Sequence, residues 1–221
     1  MYKKFIKRFL DLILSLMALI ILMPLMLIIY ILVRVKLGKP AIFKQERPGK
    51  DEKIFTLYKF RTMTDEKDEN GNLLPDEQRL TKFGKMLRST SLDELPELVN
   101  IIKGDMSIVG PRPERVEHVA KYTQDIPEFG YRLKVKGGLT GYAQVYGRYN
   151  TTSYDKLKMD LIYVVNYSLM LDFQIVLETV KIIFSKESTE GFTEENSKIM
   201  NEYGQELEAA RQEIAATRED N

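Results

Sequence analysis

Residues 12–33, LILSLMALIILMPLMLIIYILV, decide how this chain is organised. The 22 residues carry no charge, and only Ser15 and Tyr30 are mildly polar. Such a run exceeds the ~18 apolar residues that mark a membrane helix. As a straight helix it is roughly 33 Å long at 1.5 Å per residue, enough for a hydrocarbon core of about 30 Å. Pro24, near the middle, removes a backbone donor and crowds the preceding turn, so a kink near Ile20 to Pro24 is expected. Basic residues flank both ends: Lys3, Lys4, Lys7 and Arg8 before it, Arg34, Lys36 and Lys39 after it. Positive charge at both ends gives a spanning helix no orientation and suits two ends on one face. The expectation is a helix-break-helix hairpin over residues 1–40 that enters one leaflet and returns at Pro24. A kinked single span is the competing reading. The run is too long for a cleaved signal peptide, and no small-residue cleavage site follows it.

The chain has 221 residues, 44% hydrophobic and 29% charged, with no cysteine or tryptophan and one histidine, His118. That length suits one ordinary domain. Disulfide scaffolds, iron–sulfur clusters, cysteine zinc sites, His–His metal clusters and Cys–His nucleophile pairs are excluded by composition. Chemistry must rest on carboxylates, hydroxyls, Lys and Arg. The formal charge of +1 hides an asymmetry: residues 186–221 hold 4 basic and 10 acidic side chains, a net of −6, leaving +7 for residues 1–185. A basic body suits an anionic partner, whether a membrane surface, a nucleic acid or a phosphorylated substrate.

Beyond the membrane segment, a turn at Arg47-Pro48-Gly49 leads into IFTLYKFRTM at 54–63, which reads as a strand. Strand alternation sets Lys59 and Arg61 on one side and Tyr58 and Phe60 on the other. Two neighbouring cations suggest an anion site; a solvated strand face is the alternative. After a polar loop at 65–79, a short helix near Leu80–Arg88 buries Leu80, Phe83 and Leu87 and carries Lys82, Lys85 and Arg88 on another face.

The stretch SLDELPELVNIIKG at 91–104 carries the strongest chemical argument. Pro96 suits an early helical position, Leu98, Ile101 and Ile102 form an apolar stripe, and Gly104 can stop the helix. Asp93 and Glu94 then fall at or just before a helix N-terminus, where anions are favoured. Adjacent carboxylates there can hold Mg2+ against a diphosphate, or one of them can attack phosphorus. The structural alternative is a capping box, which Ser91 and Glu94 also fit. Next, MSIVG at 106–110 reads as a short strand ending in PRPER at 111–115. Prolines on both sides of Arg112 present its guanidinium from a rigid turn, suited to bidentate phosphate recognition; an exposed turn with an incidental Arg is the alternative.

The loop KVKGGLTG at 134–141, with Gln144 and Arg148 nearby, has the residue order of neither a P-loop nor a dinucleotide fingerprint. Residues 155–184 read as two helices with large apolar faces, among them Leu161, Ile162, Val165, Leu169, Ile175, Val176, Ile182 and Phe184. Such faces pack on a core or lie in a lipid interface. The acidic tail shows a short helical pattern at Leu207, Ala210 and Ile214, compatible with a solvated helix and, weakly, with a coiled-coil contact in a homodimer.

In this order, the Pro24-interrupted apolar segment, RPG at 47–49, YKFRTM at 58–63, RSTSLDELP at 88–96, GDMSIVGPRP at 104–113 and LTGYAQ at 139–144 resemble the small monotopic phosphoglycosyl transferases of the bacterial sugar transferase superfamily. The resemblance covers roughly residues 1–184, and length and spacing look closest to the members that start bacterial N-linked glycan assembly with a diacetylated bacillosamine phosphate. It implies transfer of a sugar-1-phosphate from a UDP-sugar to undecaprenyl phosphate, with release of UMP, on the cytoplasmic face of the bacterial inner membrane. It implies that Asp93 is the nucleophile of a covalent phosphosugar intermediate, and that Glu94 with Asp93 holds Mg2+. Lys59, Arg88, Arg112 and Arg148 would bind phosphate or nucleotide groups, and Pro24 would break the membrane hairpin.

The implied fold is mainly α with a few short β strands. A re-entrant hairpin (1–40) would carry a compact cytoplasmic catalytic domain with interfacial amphipathic helices (41–185) and an acidic helical tail (186–221). Implied partners are the UDP-sugar, undecaprenyl phosphate and inner-membrane lipid, with no nucleic acid. The sequence departs from the family pattern at Met23, where Ser often precedes the hairpin proline, at 135–141, VKGGLTG in place of VRPGITG, and at Tyr146, where Asn is usual. A reading from another class is a membrane-anchored, non-enzymatic adaptor whose basic face binds anionic lipid or nucleic acid. Against it, no recognised nucleic-acid module is present, and few aromatics are interleaved with the basic residues.

Overall fold

In the computed structural model, which describes residues 1–147 and 152–184, the apolar segment is one helix, α1 (Lys7–Lys36), led by a π-helical turn over Tyr2–Ile6. Arg148 and the tail at 186–221 lie outside the described residues. Asp11, Ser15, Ile29 and Val33 of α1 are buried, and Ala18, Leu19, Leu22 and Met26 pack partly buried between them. Steps of three and four put all of these on one stripe that runs the length of the helix. The remaining faces are apolar and open, with Ile21 71% and Val35 78% exposed. Residues Tyr2–Lys36 are long and apolar enough to cross a membrane.

The helix continues through Pro24, so the two separate helices expected on either side of it are not seen. A proline deletes one donor from the hydrogen-bond ladder and bends a helix more readily than it ends one. Here Leu22 before it and Met26 after it both pack on the body, so the same seam holds both sides.

β1 (Ile42–Pro48) and β2 (Ile54–Phe60) form an antiparallel hairpin in register from Ile42–Phe60 to Pro48–Ile54. A single turn, α2 (Asp76–Arg79), precedes α3 (Lys82–Ser89), whose N-cap Thr81 accepts from Gly84 N at 3.0 Å. α4 (Glu97–Lys103) ends at Gly104, at φ 93°, a left-handed position that glycine takes without strain. β3 (Ser107–Val109) pairs in parallel with β4 (Gly138–Thr140). A Cβ on Gly138 would lie 2.1 Å from the Gly110 nitrogen, so the glycines of the 134–141 loop serve a close backbone approach.

α5 (Val116–Asp125) and a 3-10 helix (Pro127–Lys134) precede β4; α6 (Tyr142–Tyr146), α7 (Ser153–Asn166) and α8 (Leu169–Phe184) follow it. α7 starts with a capping box between Thr152 and Asp155. The last two helices pack one face on the core and leave another open. Leu157, Met159, Ile162, Tyr163 and Ile175 are buried, while Leu169, Met170, Phe173, Leu177, Val180 and Ile183 of α8 face outward.

Both halves of α1 are tied to this body. Ile29 and Val33 sit in a cluster with Leu37, Ala41, Phe60 and Leu87; Ala18, Leu19 and Leu22 pack on Leu57, Leu98, Ile101 and Met106. Arg8 donates to the carbonyls of Ile101 (2.6 Å) and Ile102 (2.8 Å) at the end of α4. Asp11 accepts from Ile108 N at 3.0 Å. Lys7 donates to Val109 O (3.0 Å) and Asp172, and Tyr163 donates to Asp172 at 2.8 Å, tying α1, β3, α7 and α8 together.

Asn100 is fully buried and acts as a polar rivet between α4 and β2. Its Oδ1 accepts from Tyr58 N (3.1 Å), and its Nδ2 donates to Thr56 O (2.7 Å) and Asp105 (3.3 Å). Replacing it strands backbone groups in a dry interior. Asn100→Leu is expected to cost about 2–4 kcal/mol in thermal or denaturant unfolding, while Val99→Ala, on the exposed face of α4, costs under about 0.5 kcal/mol; similar costs for both would contradict the rivet.

Candidate active site

The chain enters the acidic turn of Asp93 and Glu94 through Ser91, held left-handed at φ 54°, and a 3-10 turn over Leu92–Glu94 before Pro96 opens α4. Ser91 makes no side-chain cap bond, so the capping-box alternative for Ser91 and Glu94 is not realised. Leu92 and Leu95 turn into the cluster beneath α1, which leaves Asp93, Glu94 and Glu97 towards β2.

There they meet two cations from other parts of the chain. Lys59 Nζ, on β2, lies 2.6 Å from Glu94 Oε1 and 3.1 Å from Glu97 Oε1. Arg112 Nη2 lies 2.5 Å from Glu94 Oε1, and its Nη1 3.4 Å from Oε2. Arg88 donates to Thr62 Oγ1 at 3.1 Å, and its positive charge is felt at Asp93. Of the expected site residues, Lys59, Arg88, Asp93, Glu94 and Arg112 thus converge; Arg148 lies outside the described residues.

Arg61 does not join them. The strand stops at Phe60, so alternation no longer governs the next side chain, and Arg61 is buried, donating to Lys39 O and Met63 O (2.8 Å each) and pairing with Asp65. It braces the chain after α1. Glu97 is the member that the sequence pattern did not single out, since a Glu after Pro96 reads as an ordinary first-turn residue; it is 3% exposed.

The three carboxyl groups differ in protonation. Burial, and then the charge of Glu94, raise the pKa of Asp93 above its usual value, while Lys59 and Arg88 pull it back. Asp93 feels these cations through space, without a salt bridge to either. Burial alone would raise Glu94 too, but Arg112 and Lys59 outweigh it and hold it at about 2. Glu97 is pushed up to about 7 by burial and by Glu94, against Lys59. The turn therefore presents one carboxylate paired with two cations, one without a salt bridge and one poised to hold a proton near neutrality.

Among the described residues no cluster of three or more His, Asp or Glu side chains is arranged to hold a metal. The donor set of Asp93 and Glu94 fits Mg2+, which takes one or two carboxylates and completes its shell with phosphate and water. A largely apolar cavity of about 450 Å³, lined by Pro48, Ile54, Val116, Val119, Ala120 and Leu133 among others, touches none of the five converging residues. The charged turn, rather than that cavity, is the candidate site.

A carboxyl raised from 4.5 to about 7 binds its proton more tightly when folded, so its stabilising contribution is complete below the lower value and lost as pH rises through the upper one. Between about pH 5 and about pH 8 the chain is expected to lose on the order of 1–3 kcal/mol through Glu97. Glu97→Gln removes that loss, so its melting temperature should fall less across the same range; parallel pH profiles would show that Glu97 does not titrate there.

The family described as bacterial sugar transferase matches residues 2–186. The sugar transferase EpsL of Bacillus subtilis is 47% identical over 183 residues, covering 82% of this chain and 89% of its own. The UDP-N-acetylgalactosamine-undecaprenyl-phosphate N-acetylgalactosaminephosphotransferase of Aeromonas hydrophila is 37% identical over 186 residues, 82% of this chain and 44% of its own. The UDP-glucose:undecaprenyl-phosphate glucose-1-phosphate transferase of Escherichia coli is 39% identical over 186 residues, 80% of this chain and 40% of its own. The chain thus spans nearly all of the Bacillus protein and less than half of the other two. With the match running from the first turn of the N-terminal helix to the end of α8, this chain belongs to the bacterial sugar transferase family.

Proposed function

We propose that the chain is a polyprenyl-phosphate phosphoglycosyl transferase, which moves a sugar-1-phosphate from a UDP-sugar to undecaprenyl phosphate and releases UMP. The observation that carries this reading is the buried Asp93, without a salt bridge, beside a Glu94 already engaged by Lys59 and Arg112. The names of the Aeromonas and Escherichia relatives support the reaction class.

A carboxylate oxygen of Asp93 attacks the phosphorus that bears the sugar. The bond from that phosphorus to the UMP oxygen breaks, UMP leaves with the electron pair, and the phosphosugar stays on Asp93. An oxygen of undecaprenyl phosphate then attacks the same phosphorus and returns the Asp93 carboxylate. Neither step needs a proton removed from the nucleophile, so no histidine is required. Lys59, Arg88 and Arg112 draw the diphosphate to the turn and neutralise its oxygens. Mg2+, held by Glu94 with Asp93 beside it, supplies further neutralisation of the diphosphate when bound. Burial keeps Asp93 poorly solvated and more basic than an open carboxylate.

The membrane arrangement follows from α1. Arg8 and Asp11 at one end and Val33 at the other are fixed to the same body, which supports both ends lying on one face, the cytoplasmic face of the bacterial inner membrane. We assign the open faces of α1 and the outward stripe of α8 to lipid. In this reading residues 1–40 anchor, 41–185 catalyse and 186–221 extend as a tail. The resemblance in length and spacing is to members that transfer diacetylated bacillosamine phosphate, while relatives carry N-acetylgalactosamine and glucose in their names, and the donor sugar is left to assay.

Incubation with a UDP-sugar labelled in the sugar, Mg2+ and no lipid acceptor is expected to leave label on the protein. Asp93→Asn should abolish that label and lower UMP release by at least about a thousandfold; label that survives the substitution would remove Asp93 as the nucleophile. A panel of UDP-sugars assayed by UMP release identifies the donor. For topology, Lys4→Cys and Lys39→Cys, in a chain with no other cysteine, should react with an impermeant thiol reagent from the same side of sealed vesicles. Reaction from opposite sides would refute the one-face arrangement.

A further inference from the structure

We infer that Arg132, anchored by Asp160, is a positioning residue for Arg112, acting through the Arg112 carbonyl; this rests on the reading of Arg112 as a phosphate-binding group. The turn at 111–113 is Pro-Arg-Pro, so only Arg112 has a backbone N–H and the segment cannot hold itself with a ladder of its own. Its three consecutive carbonyls each accept from elsewhere in the chain. Pro111 O accepts from Gly138 N at 2.9 Å, Arg112 O from Arg132 Nη2 at 2.9 Å, and Pro113 O from Arg47 Nη1 at 2.9 Å.

Of these donors Arg132 is set apart by its surroundings. It is 5% exposed, and its partner Asp160, in the middle of α7, is 2% exposed. Arg132 Nε and Nη2 both donate to Asp160 Oδ2, at 3.0 and 2.6 Å. The same Nη2 reaches Arg112 O, so one guanidinium joins the α7 carboxylate to the backbone of the catalytic turn. A buried ion pair is a poor source of stability, because stripping water from two charges costs about as much as their attraction returns. What it does supply is direction: a planar fork fixed at one edge by Asp160, with Nη1 4.0 Å from Glu114 Oε1, can aim a further Nη2 N–H at one acceptor. Arg112 spends its own guanidinium on Glu94, and the place from which that side chain extends is set at its carbonyl.

The test uses Arg132→Lys in the full chain. An ammonium can face Asp160 but cannot reproduce the fork that serves Asp160 and Arg112 O together. The KM for the UDP-sugar, read by UMP release, is expected to rise about tenfold, with kcat within about threefold. A purely structural role would instead lower the amount of active enzyme, reducing apparent kcat and leaving KM unchanged. The second arm places Arg132→Lys in an Arg112→Lys background, where the rise in KM should disappear because the group being aimed is gone. Multiplying KM effects, or an unchanged KM in the single variant, would overturn the positioning role. If Arg132→Lys melts below the assay temperature, Asp160→Asn, which keeps shape and an acceptor, takes its place in both arms. Should Arg112→Lys alone leave activity unchanged, it is the reading of Arg112 that fails, and this outcome is distinct from a failure of the cycle.

Discussion

An apolar helix held along one stripe by the body it anchors is the constraint on which the rest of this molecule depends. Lipid cannot compete for that stripe, because it carries Asp11 bonded to the Ile108 amide and is flanked by Arg8 on the C-terminal carbonyls of α4. Apolar packing alone would not distinguish body from bilayer, since a leucine is equally at home in either. Buried polar groups do distinguish them, because they find their partners only on the body. The same stripe roofs two of the hydrophobic clusters and so fixes α3, α4 and β2, the elements from which Arg88, Glu97 and Lys59 extend.

Within that frame the acidic turn divides its labour by environment rather than by residue type. Glu94 lies between two cations and stays ionised; Asp93 is buried without a salt bridge and becomes more basic; Glu97, deepest of the three, shares Lys59. Three carboxyl groups on five consecutive residues are chemically alike in an unfolded chain. Their separation comes from what β2 and the 111–113 turn bring to them, which is how one turn can hold one carboxylate ionised and make its neighbour more basic.

Elements set by local rules were legible in the sequence: β2 from its aromatic and β-branched run, α4 from Pro96 and Gly104, and the two helices after residue 152 from their apolar spacing. Asp93, Glu94 and Arg112 were legible as chemistry because they are adjacent or framed by prolines. Residues defined by distant partners were not. Asn100 reads as one polar residue in an amphipathic helix, yet it stands in for a strand neighbour to β2. Arg132 and Asp160 lie 28 positions apart with no local motif. Asp11 falls just outside the uncharged window, and its role exists only once β3 is beside it. Arg61 was read by an alternation that ends one residue earlier, and Pro24 by a helix-breaking rule that a continuous packing seam overrides.

Charge frames how such a site would meet a diphosphate. Lys59, Arg88 and Arg112 face Asp93, Glu94 and Glu97, so with Glu97 ionised the turn is balanced, and with Glu97 protonated it is positive by one. A diphosphate arriving at a balanced, largely buried centre meets carboxylates as well as guanidinium and ammonium groups. Its attraction to Arg112 and Lys59 must be won against their contacts with Glu94, at 2.5 and 2.6 Å. Under the proposed function, Mg2+ held at Glu94 would offset that competition by neutralising phosphate charge. The proton on Glu97 tilts the same balance by one unit in a range where cells operate, so a residue that touches neither Asp93 nor Arg112 still sets how strongly the turn attracts an anion.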